Sequence, residues 1–321
     1  MATSDPALSA EPAEIDLSPS SRRLGELLIK GILGLAALVS LLTTVGIVAS
    51  LLLPALEFFA EVKPWEFFTG TNWAPLFEPA SFGVVPLIVG TFSVTFWALI
   101  VAIPAGLGTA IYLSEYASPR VRRVVKPIIE ILAGIPTVAL GFFALVFITP
   151  AIQDIWPGFL GQSPGIFSVA AAGLAIGLMI VPIIASVSED AMSAVPGGLR
   201  EGAYALGATR ARVATKVVFP AALSGIVASI ILAVSRAIGE TMIVLLAAGN
   251  TPNSDLLQNF NPVESIQAMT SFIGSVATGD IGTGTITYKT VFAVAALLFL
   301  MTLLMNLLSI RLVRRYREVY E

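Results

Sequence analysis

Arg236 and Glu240 stand four residues apart in SRAIGET (235–241), and they are the only charges in the apolar run 221–249. On one continuous helix that spacing puts both side chains on the same face. A charge in a segment apolar enough for lipid is costly unless it meets a partner, water or a ligand. Two readings are open: the pair neutralises itself and locks a helix bundle, or Arg236 offers its planar fork to the oxygens of an anion. In the second reading Glu240 is the counter-charge when the site is empty.

The other residues that resemble chemistry are less telling. Lys126 and Glu130, again four apart in KPIIEILAGIP (126–136), read as an ion pair near a membrane interface, with an exit-side role for Glu130 as the alternative. GQSPG (161–165) matches a nucleophile elbow, but Pro164 follows the serine and the chain has no His to activate a hydroxyl. Gly106-Leu-Gly108 and Gly282-Thr-Gly284 are too short for a dinucleotide fingerprint. With neither His nor Cys, disulfides, thiolate nucleophiles and His/Cys metal sites all disappear. No G-x-x-x-x-G-K-[S/T] phosphate loop is present. The expectation is a non-enzyme with no catalytic residues, no cofactor and no metal of its own.

The elements that must hold these residues are membrane spans. The chain of 321 residues is 56% hydrophobic and 12% charged, with a mean hydropathy of +0.89, about half the charge usual for a soluble protein. A net charge of −3 gives no reason to expect nucleic acid. A bilayer core needs about 20 apolar residues of helix, and six stretches supply it: about 31–53, 84–112, 127–150, 166–187, 220–248 and 289–310. Residues 1–21 are acidic and rich in Ser, Pro and Ala, which predicts a disordered tail, leaving 22–321 as the membrane domain. No cleaved leader is expected, since the basic n-region is missing.

Charge orients the spans. Arg22, Arg23, Lys30, Arg120, Arg122, Arg123, Lys126, Arg200, Arg210, Arg212, Lys216, Arg311, Arg314, Arg315 and Arg317 fall on one side, whereas Lys63 and Lys289 fall on the other. The positive-inside rule then puts both termini in the cytoplasm. The opposite loops are acidic, and two of them, 54–83 and 249–288, are long; the first carries Trp65, Phe67, Phe68 and Trp73 as expected exposed aromatics. Those aromatics would anchor a helix end at the interface or dock an extracytoplasmic partner. Gly and Pro within the spans, such as Pro104, Gly134, Pro136, Gly173, Gly177 and Pro182, fit close helix packing.

The long cytoplasmic loop 188–219 breaks at Pro196-Gly197-Gly198 and resumes helix-compatible sequence from Glu201 to Val213, interrupted by Gly207. A helix–glycine–helix knob is expected there. Glu201-Gly202-Ala203, three residues, Gly207, nine residues, then Val217-Val218-Phe219-Pro220 resembles the EAA motif of bacterial ABC importer permeases, E-A-A, three residues, G, nine residues, I-x-L-P. Gly202 replaces the middle Ala, and Val217 and Phe219 replace Ile and Leu. The resemblance implies a type I ABC importer permease (MetI-like) bundle, all-α, whose coupling helix seats on a separate ATPase subunit. Glu201, Gly202, Ala203 and Gly207 would be the coupling positions, and ATP and Mg would be bound by that ATPase.

Three further stretches resemble the phosphate-specific permeases: FGVVPLIVGTF (82–92), GIPTVALGFFAL (134–145) and SRAIGET. The loop with FFTGTNWAP (67–75) resembles the PstC type more than its PstA-type partner. The resemblance implies inorganic phosphate as cargo, a bacterial cell membrane location, a PstA-type second permease, a PstB-type ATPase dimer and a PstS-type extracytoplasmic phosphate-binding protein. Arg236, about 24 Å along a helix begun at Pro220, would lie beyond the midplane toward the outside. Glu240 would accept a hydrogen bond from a phosphate hydroxyl that sulfate lacks. The alternatives are the PstA-type partner, a permease for molybdate or sulfate, an ATP-independent channel or carrier, and a signalling scaffold that senses transport without conducting.

Overall fold

A computed structural model of the chain describes residues 23–316, apart from 159, 160, 162, 254, 256–259, 280, 281 and 283. The expected tail 1–21, Arg22 and Arg317 lie outside the described residues, as do the side chains of Arg23, Arg314 and Arg315. Two units are distinguished, 1–50 and 51–321.

Helix α1 runs Arg23–Glu61, with Pro54 inside it. Five helical spans are long and apolar enough to cross a bilayer: Gly25–Glu61, Val85–Tyr116, Thr137–Ile155, Val169–Ser193 and Ile286–Arg311. A bent pair, Arg210–Ala221 with Leu223–Ile238, supplies the sixth. The all-α membrane architecture expected from the apolar runs is therefore present.

The second span is α3 (Val85–Ile111), continued by a wide π turn at Tyr112–Tyr116. It packs along the fourth, α7 (Val169–Ser193). Gly177 of α7 permits the contact, because a Cβ there would come within 2.9 Å of the Ala98 carbonyl oxygen. Small residues give two helices in lipid the van der Waals contact that hydrophobicity alone does not. Ser168 begins α7 by accepting a hydrogen bond from the Ala171 N–H at 3.2 Å.

The third span differs from the expected 127–150. Helix α4 (Pro119–Leu132) stops, residues 133–136 are not helical, and the span resumes as α5 (Thr137–Phe143), a π turn (Ala144–Ile148) and α6 (Thr149–Ile155). Pro136 explains the break, since it has no N–H to donate and disfavours helical backbone in the residue before it. Further along, the Thr149 N–H reaches the Ala144 carbonyl five residues back, directly before Pro150. The same widened turn recurs at Ala214–Val218 directly before Pro220, where Phe219 N–H reaches Ala214. A π turn is one way an apolar helix accommodates the carbonyl that a proline leaves unpaired.

Segment 188–219 differs from its expectation at both sides of the turn: α7 continues to Ser193, and the next helix begins at Gly197 and not at Glu201, so Pro196 is the break while Gly197 and Gly198 are helical. Helix α8 covers Gly197–Ala205, Gly207 takes φ +79°, and α9 covers Arg210–Val213. That left-handed backbone suits glycine. Thr209 caps α9 by accepting from the Arg212 N–H at 3.4 Å. After the π turn, α10 (Phe219–Ala221) bends by 73° into α11 (Leu223–Ile238).

Segment 62–84 and the described part of 249–285 carry secondary structure where loops were expected. Helix α2 (Pro64–Thr69) and a two-residue antiparallel pair, β1 (Trp73–Ala74) with β2 (Ser81–Phe82), follow α1. Phe67 and Trp73, expected to be exposed, are buried; Trp65 and Phe68 are exposed. The buried pair joins Phe58, Phe82 and Phe272 in an edge-on aromatic cluster. Phe272 belongs to α12 (Met269–Ala277), a largely buried helix inside the expected loop 249–288. Helix α13 (Ile286–Tyr316) completes the set. Lys289 near its start pairs with Glu57 and Glu61 at 3.3 and 2.8 Å.

Candidate functional site

The fifth span is not one helix over 220–248, as the apolar run suggested. It stops at Ile238, Gly239 caps it, and helical backbone resumes at 242, with π geometry over Val244–Ala248. Arg236 therefore occupies the last turn of α11, and Glu240 sits in the break. A cation at a helix C-terminus and an anion at the next N-terminus each oppose the local backbone dipole. Arg236 lies about 20 Å along α11 from Leu223.

The two side chains have different surroundings. Glu240 is 3% exposed and Arg236 51%. Glu240 Oε1 accepts hydrogen bonds from the N–H groups of Met242 and Ile243 at 3.1 and 3.4 Å, which caps the resumed helix. The Glu240 carbonyl accepts from Thr270 Oγ1 at 2.7 Å. Glu240 Oε2 is 3.9 Å from Arg236 Nη2, an attraction between charges beyond hydrogen-bond length. Among the described residues no acceptor takes a hydrogen bond from the Arg236 guanidinium. A charged fork is thus held beside a carboxylate without being consumed by it, a geometry suited to an oxyanion.

Helix α12 braces this arrangement, and it is not legible in the amino-acid sequence. Its first residue, Met269, donates its N–H to Thr91 Oγ1 of α3 at 3.0 Å, and Thr91 in turn donates to the Leu87 carbonyl at 2.8 Å. Ser271 Oγ accepts from the Ala268 N–H at 2.9 Å. Thr270 then ties the break in the fifth span to this anchored helix. Nine residues of helix are too few to register as a span, so the run 269–277 looks like loop.

The expected coupling residues gather elsewhere in the chain. Glu201 and Gly202 lie on exposed positions of α8, and Gly207 forms the turn after it. Ala203 packs against an apolar cluster of Met192, Val195, Val213 and Val218. The helix–glycine–helix knob read from the sequence is present as geometry.

Lys126 does not pair with Glu130. It bonds Glu189 Oε2 at 2.7 Å and also Asp190 of α7, while Glu130 accepts from Ser186 Oγ at 3.2 Å. Arg122 contacts Glu189 and donates to Ser193 Oγ at 2.6 Å. These rungs, 122 with 193, 126 with 189 and 190, and 130 with 186, run α4 antiparallel to the end of α7. Each anion therefore faces across to a neighbouring helix, not along its own. Burial lowers the Lys126 pKa, but hydrogen bonds to Asp190 and Glu189 outweigh it and leave the ammonium held above its ordinary value. Ser163, in the elbow-like GQSPG, lies exposed outside helix or strand.

Known proteins share this framework. Residues 102–318 match the family described as binding-protein-dependent transport system inner membrane component. The chain is 34% identical over 307 residues to the probable ABC transporter permease protein YqgH of Bacillus subtilis (strain 168), covering 94% of this chain and 95% of the relative. It is 33% identical over 293 residues to the phosphate transport system permease protein PstC of Haemophilus influenzae, covering 84% and 89%. A crystal structure of a bacterial alginate ABC transporter, in complex with an alginate pentasaccharide-bound periplasmic protein, aligns with TM-score 0.60. That alignment covers 92% of this chain and 98% of that one at 16% identity, a likeness of fold. A match that begins inside the second span and takes in every later one, over the same helical framework, gives one assignment: the chain belongs to the family of binding-protein-dependent transport system inner membrane components.

Proposed function

We propose that this chain is a PstC-type permease subunit of an ATP-driven importer of inorganic phosphate, multi-pass in the bacterial cell membrane with both termini cytoplasmic. A PstA-type permease completes the pathway, a PstB-type ATPase dimer binds ATP and Mg, and a PstS-type protein delivers phosphate from outside. Segment 201–207 seats on the ATPase. The observation that carries the reading is the half-exposed Arg236 guanidinium, 3.9 Å from a buried carboxylate and free of hydrogen bonds among the described residues. Support for phosphate as cargo comes from relatives such as the PstC protein of Haemophilus influenzae. Arg236 binds the anion as it passes, and Glu240 balances the charge between passages.

The test is uptake of labelled phosphate by the assembled transporter in proteoliposomes, with binding protein inside or outside and sulfate or molybdate in competition. Arg236→Gln is expected to abolish uptake while leaving assembly intact. Normal uptake by that variant would remove Arg236 from the pathway, and preferential uptake of sulfate or molybdate would replace phosphate as cargo.

A further inference from the structure

Helix α8 has no buried residue, so packing alone holds it weakly. Between it and the end of the second span lies a cleft of about 740 Å³, lined by Ser114, Glu115, Tyr116, Tyr204 and Arg210 with Arg200. One side chain crosses that space. Arg200 Nε and Nη2 donate to Glu115 Oε1 at 3.2 and 3.0 Å. Nη2 also donates to the Met192 carbonyl at 2.7 Å, and Nη1 to the Val195 carbonyl at 2.6 Å. The guanidinium thus joins three places: its own helix α8, the π turn that ends the second span, and the end of the fourth.

Glu115 is otherwise badly placed. It is 4% exposed and sits in the last turn of a helix, where the backbone dipole disfavours an anion. Burial without a cation would be costly. Arg200 removes that cost only while α8 stays in position. The rigid plane of the guanidinium reaches all three acceptors together, which the single ammonium of lysine cannot reproduce.

We propose that Arg200 is the positioning residue that makes α8 and the cytoplasmic ends of the second and fourth spans move as one piece, through Glu115 and the carbonyls of Met192 and Val195. This rests on the reading of α8 as the helix that seats on the ATPase. Without Arg200, α8 would follow the ATPase while the spans stayed behind across the open cleft.

The experiment uses the assembled transporter in proteoliposomes and two readouts. The chain contains no Cys, so Leu206→Cys on the exposed end of the knob and Tyr116→Cys at the end of the second span can carry spin labels cleanly. In an otherwise wild-type chain, the label separation is expected to stay the same with and without ATP and vanadate. In Arg200→Gln/Glu115→Gln it should shift or broaden by several ångströms, and phosphate moved per ATP hydrolysed should fall at least tenfold. The double variant leaves no bare buried charge, so assembly is expected to survive; Arg200→Lys should likewise keep assembly but not the wild-type transport ratio. The proposal is overturned if the assembled double variant keeps the wild-type separation and ratio, or if losses merely track assembly. The label separation is read without reference to cargo. Absence of phosphate uptake by the wild-type transporter would therefore count against phosphate alone.

Discussion

Glu240 Oε2 and Arg236 Nη2 face each other at 3.9 Å across the break at Gly239, so two opposite charges close the ends of two half-helices. The carboxylate is committed to the backbone through its other oxygen, and the guanidinium is not. The roles of the pair follow from that asymmetry.

Arg236→Lys should retain charge but lose the fork. Uptake is expected at an intermediate level, reduced by about tenfold, the size of one charge-assisted hydrogen bond. Initial rates at several phosphate concentrations, compared with those of Arg236→Gln, check it.

Glu240→Gln keeps an oxygen for the Met242 and Ile243 N–H groups, whereas Glu240→Ala keeps none. The alanine variant should lose about 1–2 kcal/mol as an uncapped helix end, and the glutamine variant markedly less. Thermal unfolding of the two purified variants separates capping from charge. Equal losses would show that the cap contributes nothing.

Thr270→Val preserves shape and removes the hydroxyl that reaches the Glu240 carbonyl. A loss of about 1 kcal/mol is expected for the bond, with more if the bared carbonyl finds no water. Faster amide exchange at residues 239–243 should accompany it, measured by mass spectrometry on the detergent-solubilised chain.

Gly177→Val would push side-chain carbons onto the Ala98 carbonyl. The second and fourth spans must then separate, at a cost of about 1–3 kcal/mol. Lower yield of monodisperse protein on size exclusion is the readout, with Gly108→Val, which meets nothing within 4 Å, as the control.

Lys126→Met should destabilise the end of α7, because Glu189 is fully buried and would keep Arg122 as its sole charged partner. The pH dependence has a definite sign. The folded pKa of Lys126 is raised above 10.5, so its contribution is complete below that pH and is lost as pH rises through the folded value. Stability curves of wild type and variant should run parallel at neutral pH and converge only above pH 10.5.

Long apolar runs made the spans legible, and Pro196 with Gly207 made the knob legible, because turns in water need the residues that form them. The break at Gly239 was hidden, since one glycine in an apolar helix is usually tolerated. Its cause lies in partners distant in sequence, above all Thr270. Lys126 misled for the opposite reason: a charge four residues away looks like a partner, yet the helix end 63 residues on supplied two better ones. Phe67 and Trp73 looked like surface because they stand among Glu66, Thr69, Thr71 and Asn72, whereas a cluster that includes Phe58 and Phe272 buries them.

Phe272 stacks edge-on against Trp73 at 4.9 Å, two residues after the threonine that grips the Glu240 carbonyl. Trp73 also packs edge-on against Phe67, which shares its short helix with the exposed Trp65. Trp73 and the joint between the two charges are therefore held by one short helix, the first through the ring of Phe272 and the second through the hydroxyl of Thr270.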